Sequence, residues 1–366
     1  MNENFTGFLE CLAELSKDEY NFMFTNDKLK QNIILFGLGG SRSYGTNTPE
    51  SDWDFRGIAL NSKEEILLEK DFETVTNNIT DTTFYSFNKI IKLLKNCNPN
   101  TIELLGLNPE HYIFCNSIGK ELLDNKHLFL SKKAATSFGG YATAQFRRLD
   151  NKTARTLTGR EYQTHIKNSL QTALDSFHEK YKYFEDNAIE LFVSEDTNNP
   201  EILMNVMLTN YPLEDYKCLW SELNNIVTEY KKIGHRNKNA IEHGKNNKHM
   251  MHLVRLYLMC FDILEKEEII TYRKDDLDLL MDIRNGKYLK SNSIPIPEFF
   301  EMINDYEKRM EYAKNNTSLP DEPNYLDIDE FVISVHKRIV REEYDYFDFS
   351  GCLWTTTLDK FLDYKK

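Results

Sequence analysis

The chain has 366 residues, 40% hydrophobic and 13% aromatic, with 45 Lys and Arg against 58 Asp and Glu for a net charge of −13. This composition excludes a disordered or collagen-like polymer, and the length predicts two domains or one elaborated domain with ample material for a core. The acidic balance excludes indiscriminate duplex binding unless positive charge is gathered on one face.

In chain order, residues 5–24 carry Phe8, Leu9, Leu12 and Leu15 at helical spacing, which predicts an amphipathic first helix. Asn32 to Gly37 is a short apolar run closed by Gly37-Leu38-Gly39-Gly40, the pattern of a buried strand ending in a tight turn. A second strand is expected over Asp54–Leu60 and a third within Ile79–Tyr85, followed by a helix through Phe87, Ile90, Ile91 and Leu94 that Asn98-Pro99-Asn100 stops. Beyond about residue 116 the strand signals fade, and helices are expected near 132–150, 160–187, 213–233, 247–267, 297–315 and 329–343. The expected class is therefore α/β (α+β). A small mixed-sheet core over residues 1–116 precedes a mostly helical domain, 117–366, that supplies the second wall of a cleft and an acidic tail.

Six cysteines, Cys11, Cys97, Cys115, Cys218, Cys260 and Cys352, have no C-x-x-C pair and no zinc-ligand spacing, so reduced thiols are expected. The first residues lack a basic-then-apolar leader pattern, and no run approaches about 18 apolar residues, which predicts a soluble, cytoplasmic protein.

The chemistry is concentrated in Gly39-Gly40-Ser41-Arg42-Ser43-Tyr44-Gly45 and Ser51-Asp52-Trp53-Asp54. Gly40 and Ser41 lie where a strand ends and a short helix begins, so backbone N–H groups and the Ser41 hydroxyl can face phosphate oxygens. Asp52 and Asp54, two apart at the start of a strand, share a face and can share hard cations. A phosphate clip beside metal-binding carboxylates outlines a nucleotidyl-transfer site, where a pair of metal ions activates a hydroxyl and stabilises leaving pyrophosphate.

These motifs resemble the active-site signature of the polymerase β-like nucleotidyltransferase superfamily. Gly40-Ser41 with Tyr44-Gly45-Thr46, Ser51 to Gly57, and Asn98-Pro99-Asn100 with Glu103-Leu104-Leu105 resemble its RNA-repair-associated branch of bacterial and phage proteins. Lys248-His249, Leu253 to Leu256, Ile283-Arg284-Asn285-Gly286, and Leu319-Pro320 with Pro323 are similar to that branch too. The resemblance implies Mg²⁺ at a two-metal site, with Mn²⁺ as a substitute, held by Asp52, Asp54 and a third carboxylate. Asp81, just before the third strand, is preferred over Glu103, which is expected on a helix facing the core. It also implies a nucleoside triphosphate as donor and an RNA 3′ end, tRNA-like, as preferred acceptor. A protein or small-molecule acceptor and a non-catalytic, antitoxin-like binding protein are the alternatives.

Arg42 and Arg56 can reach a triphosphate or pair with surface acids, and Tyr44 can stack on a base or pack. From Lys231 to Arg255 there are seven Lys and Arg against the single acid Glu242, with four histidines interleaved, whereas Glu298–Lys366 carries 16 acids against nine bases. On the helix from about 247, Lys248, His252, Arg255 and Met259 fall near one stripe. With Arg236 and Lys245, that stripe can hold phosphates or remain a solvated face; Lys248 and Arg255 are the nucleotide-binding candidates. A second basic cluster, Arg147, Arg148, Lys152, Arg155 and Arg160, can line the same groove or be solvated.

Overall fold

The computed structural model describes residues 3–142, 159–180, 188–196, 200–236, 246–289 and 295–344. The first helix expected over 5–24 is divided: α1 spans Glu3–Leu15, a single 3-10 turn covers Asp18–Tyr20, and α2 is Phe22–Thr25. The apolar run becomes β1, Ile33–Leu38, buried along nearly its whole length, and is followed by the short helix α3, Gly40–Tyr44. Gly45 ends α3 in the left-handed region, at φ 78°, and a Cβ there would stand 2.5 Å from the Tyr272 ring, so only glycine fits.

Strand β2 is Phe55–Ala59, and α4, Lys63–Leu68, starts on a capping box of Ser62 and Glu65. Strands β3, Thr74–Asn77, and β4, Thr82–Ser86, precede α5, Phe87–Leu94, capped by the Ser86 side chain. Asn98 caps the next turn, α6, Pro99–Ile102, with Pro99 at its first position, and a 3-10 turn over Glu103–Gly106 continues it. Strand β5 is Tyr112–Cys115 and α7 is Ser117–Asp124.

The five strands form one mixed sheet in the order β3-β4-β2-β1-β5. Only the β2–β4 pair is parallel, and its register sets Phe55 opposite Thr82, so Asp54 and Asp81 immediately precede paired residues at the same end of neighbouring strands. On one face Phe36 stacks on both Phe55 and Phe84, with centroids 5.4 and 5.2 Å apart, and Cys11, Leu15, Tyr20 and Met23 close the cluster. Each such fully buried ring is worth about 1.5–3 kcal/mol of transfer free energy, so this cluster fixes the plane from which the acidic strand ends project.

The helical expectations after residue 116 correspond to α8 over 133–142, α9, Gly159–Lys180, α10, Leu213–Arg236, α11, Asn246–Phe261, α13, Pro297–Asn316, and α14, Tyr325–Arg341, whereas α12, Leu277–Arg284, falls where no helix was expected. The fading of strand signals misses one antiparallel hairpin, β6, Ile189–Val193, and β7, Ile202–Val206. The compact units interleave along the chain rather than dividing after residue 116. One comprises Met1–Thr143, Met251–Tyr288 and Pro297–Lys366; the other comprises Ala144–Met250 and Leu289–Ile296. In the first, α14 returns to α5, where Phe331 meets the Phe87 ring at 5.9 Å and His336 Nε2 bonds Asn88 Oδ1 at 2.8 Å. In the second, Ile166, Leu170 and Leu174 of α9 pack with Ile189 and Leu191 of β6 and Leu219, Leu223 and Ile226 of α10.

Candidate active site

The turn after β1 and the start of β2 are fitted to each other at the backbone. The Gly39 N–H donates to the Asp54 carbonyl at 2.8 Å, and Gly40 adopts φ 58°. A Cβ at Gly40 would lie 1.7 Å from Asp54 Oδ2, so the carboxylate occupies the space that any other residue at position 40 would fill. Asp54 is half-buried, whereas Asp52, two residues earlier, is exposed.

Asp81 stands beside Asp54. Burial comes first, and then a hydrogen bond with the Asp81 carboxyl and its charge, in pushing the Asp54 carboxyl up to about 7; Arg56 opposes them. Asp81 itself has φ 44°, a costly backbone conformation for a non-glycine residue, and Arg56 supports it there. The Arg56 Nη1 donates to the Asp81 carbonyl at 2.6 Å, and Nη2 lies 3.8 Å from Asp81 Oδ1. Arg56 is therefore committed to the acidic pair. Arg42 lies across the Trp53 ring at 3.7 Å and donates to the Ser51 carbonyl at 3.0 Å, which ties it to the loop before the acidic strand.

Glu103 has different company. It is 8% exposed at the start of its 3-10 turn, accepts from the Tyr44 hydroxyl at 2.8 Å and from Arg255 Nη1 at 2.9 Å, and its carbonyl accepts from the Thr271 hydroxyl at 2.6 Å. Arg255, 3% exposed, also stacks on the Tyr44 ring at 3.6 Å, with Nη2 at 2.8 Å from His252 Nδ1. Of the stripe expected to be polar, Arg255 and Met259 are buried and His252 is half-buried, because α11 is covered nearly all round from Met250 onward, whereas Lys248 is exposed. A charge in such a helix requires a buried counter-charge, and Glu103 supplies it. Both alternatives held open for Tyr44 resolve to packing, and Arg255 is engaged by the framework rather than presented to a phosphate.

The structure therefore brings Gly40, Asp54, Asp81 and Arg56 together, with Ser41 next along α3 and Asp52 at the exposed edge. Lys248 is exposed and belongs to the second unit, as does Arg160, also exposed. Arg147, Arg148, Lys152, Arg155, Lys245 and Cys352 lie outside the described residues, as does the Arg236 side chain. Among the described residues, no three His, Cys, Asp or Glu side chains already converge on one point that could hold a metal ion. The crowded Asp54–Asp81 pair nevertheless fits a hard cation, because its donors are all oxygen and its negative charge is only partly offset by Arg56. Sequence reasoning placed Arg284 in a segment similar to the RNA-repair-associated branch but gave it no role; it is 8% exposed and donates to the Thr46 carbonyl at 2.6 Å and the Ser51 hydroxyl at 3.3 Å. Its signal was position: it falls four residues after buried Leu280, on the inner side of α12.

Among the described residues, no helix is long and apolar enough to cross a membrane. No solved structure matches the chain. A protein of Enterobacteria phage T4, described as an uncharacterized 38.9 kDa protein in the nrdC-mobD intergenic region, is 23% identical over 309 residues, covering 76% of this chain and 88% of that one. Residues 13–179, which contain the G-S turn, the D-W-D strand start, Asp81 and Glu103, match the model of the RNA repair pathway DNA polymerase beta family.

Proposed function

We propose that the protein is a Mg²⁺-dependent nucleotidyltransferase that moves a nucleoside monophosphate from a nucleoside triphosphate to an acceptor hydroxyl, with pyrophosphate released. The observation that carries this reading is the meeting of Asp54 and Asp81, from adjacent parallel strands, against the backbone of Gly39 and Gly40. A family of the polymerase β type supports a nucleotidyltransferase role in general. The acceptor preferred here is an RNA 3′ end of tRNA type, because the family description names an RNA repair pathway.

In this reading Asp52, Asp54 and Asp81 hold the Mg²⁺, and the Gly40–Ser41 backbone holds the β and γ phosphates. Mg²⁺ bound there lowers the pKa of the acceptor hydroxyl and neutralises charge on the departing pyrophosphate. The acceptor oxygen bonds to the α-phosphorus while the bond from that phosphorus to the bridging oxygen breaks. The electron pair leaves with pyrophosphate, and Asp81 assists loss of the acceptor's proton. Arg56 keeps Asp81 in its strained conformation, so the carboxylate need not reorganise during the step.

The test incubates wild-type protein, Asp52→Ala and Asp54→Asn with Mg²⁺, each α-labelled nucleoside triphosphate and total RNA, then resolves RNA and protein separately. Label on RNA is expected with wild type, reduced by about 10³-fold or more in both variants, as loss of several kcal/mol of transition-state stabilisation requires. Label on protein alone would replace the RNA acceptor with a side chain. Absence of label with every nucleotide and acceptor, despite intact fold, would overturn the enzymatic reading in favour of a binding protein.

A further inference from the structure

Residues 46–54, which join α3 to β2, form no regular helix or strand, so individual bonds set the path of the loop that carries Asp52. Ser51 is gripped from two directions. Arg42, stacked on Trp53, donates to its carbonyl at 3.0 Å, and Arg284 donates from Nη2 to its hydroxyl at 3.3 Å. That hydroxyl also accepts from the Thr48 N–H at 2.8 Å. Arg284 Nη1 meanwhile donates to the Thr46 carbonyl at 2.6 Å, so one rigid guanidinium joins the first residue of the loop to the residue before Asp52. Arg284 lies on α12, outside the segment that carries the family match.

We propose that Arg284 is a positioning residue for the acidic centre: through Thr46 and Ser51 it fixes the loop bearing Asp52, and so sets the affinity of Asp52, Asp54 and Asp81 for a divalent cation. The inference rests on the cation-binding role given to these carboxylates above. Lysine at 284 keeps the charge but loses the two-point fork, since an ammonium has no planar pair of donors to span Thr46 and Ser51. Groups that orient metal ligands without touching the metal are worth about 10–100-fold in metal affinity when removed.

The test uses the full chain with Trp220→Phe and Trp354→Phe, which leaves Trp53, between Asp52 and Asp54, as the only indole. Mn²⁺ is titrated against Trp53 fluorescence, with thermal melting recorded on the same samples. The parent is expected to quench saturably and Asp54→Asn to lose that response. Arg284→Lys, with a cooperative melt, should move the Mn²⁺ midpoint upward by about 10-fold or more. Ser51→Ala, which removes one of the two anchors, should shift it less. Arg284→Ala should shift it as far as lysine does, with partial recovery on adding guanidinium at tens of millimolar, too dilute to denature. A midpoint for both Arg284→Lys and Ser51→Ala within about twofold of the parent, whatever happens to the melt, would overturn the proposal and leave Arg284 as a packing residue. If instead the parent shows no saturable Mn²⁺ response, the cation-binding reading of the carboxylates itself falls. The two failures are thereby told apart.

Discussion

The two ends of α3 face clusters of charge that are balanced in opposite ways. At the Gly40 end, Asp54 and Asp81 crowd each other with Arg56 as their immediate cation and Asp52 nearby, so the folded chain holds surplus negative charge in a half-buried place. At the Tyr44 end, Glu103 meets Arg255 and the Tyr44 hydroxyl, and the ion pair is closed and dry. Both clusters contain a carboxylate that the sequence motifs offered for the same role. The difference teaches how to separate them: a satisfied carboxylate braces the framework, whereas an unsatisfied one costs stability and is retained where a ligand of opposite charge can offset that cost.

The largest expected effect tests the closed cluster. Glu103→Ala strands Arg255 inside α11 without its counter-charge, and removing one partner of a buried pair costs about 3–5 kcal/mol. Chemical denaturation of Glu103→Ala and Arg255→Ala should each show a loss of this size. The double variant should lose much less than the two singles combined, because the second removal relieves the charge stranded by the first. A Glu103→Ala variant as stable as wild type would break the comparison.

How much of this contrast was legible beforehand follows from the range over which each feature is encoded. The β1 run, the G-S turn, the D-x-D strand start and the Ser86-capped helix α5 depend on residues a few positions apart, and each appears where the local pattern puts it. Strand β3 escaped notice because Thr74–Asn77 is short and faces solvent at alternate positions, and β5 because its four residues follow directly on a 3-10 turn at Pro109–His111. Asp81, preferred over Glu103 as the third carboxylate, comes to stand beside Asp54 through the parallel β2–β4 register, which no local spacing encodes. The partners of Glu103 and Ser51 lie farther off still. Arg255 is 152 residues from Glu103 and Arg284 is 233 from Ser51, and a basic residue on an amphipathic helix looks the same in sequence whether it meets water or a buried acceptor. Buried charge is therefore the feature least readable from one sequence and the most informative once the fold is known.

A smaller change sharpens the same contrast. Tyr44→Phe leaves the Arg255–Glu103 pair intact and removes one hydrogen bond to a charged acceptor, a loss of about 1.5–3 kcal/mol. Because the ring remains, its stacking on Arg255 is kept, and the loss measured by denaturation should fall below that of Glu103→Ala. Equal losses would mean that the hydroxyl, not the arginine, carries the cluster.

The smallest effect has the opposite sign and depends on pH. The Asp54 carboxyl is raised to about 7 in the folded chain, against about 3.9 in an unfolded one, so folding favours its protonated form. That contribution is fully present below pH of about 4 and is lost as the pH rises through about 7, when Asp54 ionises beside Asp81. Asp54→Asn abolishes the titration and removes the repulsion, so without divalent cation at pH 8 it should be more stable than wild type. The gain is on the order of 1 kcal/mol, because Asp81 is largely exposed and water screens the contact. At pH 5 the advantage should shrink, since wild type then carries the proton. Adding Mg²⁺ at pH 8 should stabilise wild type and leave Asp54→Asn unmoved, reversing their order. Urea denaturation at the two pH values, with and without Mg²⁺, reads all four quantities. A variant less stable than wild type at pH 8 without cation would mean that the Gly40 end, like the Tyr44 end, is a satisfied cluster, and would remove the basis for assigning the two ends different work.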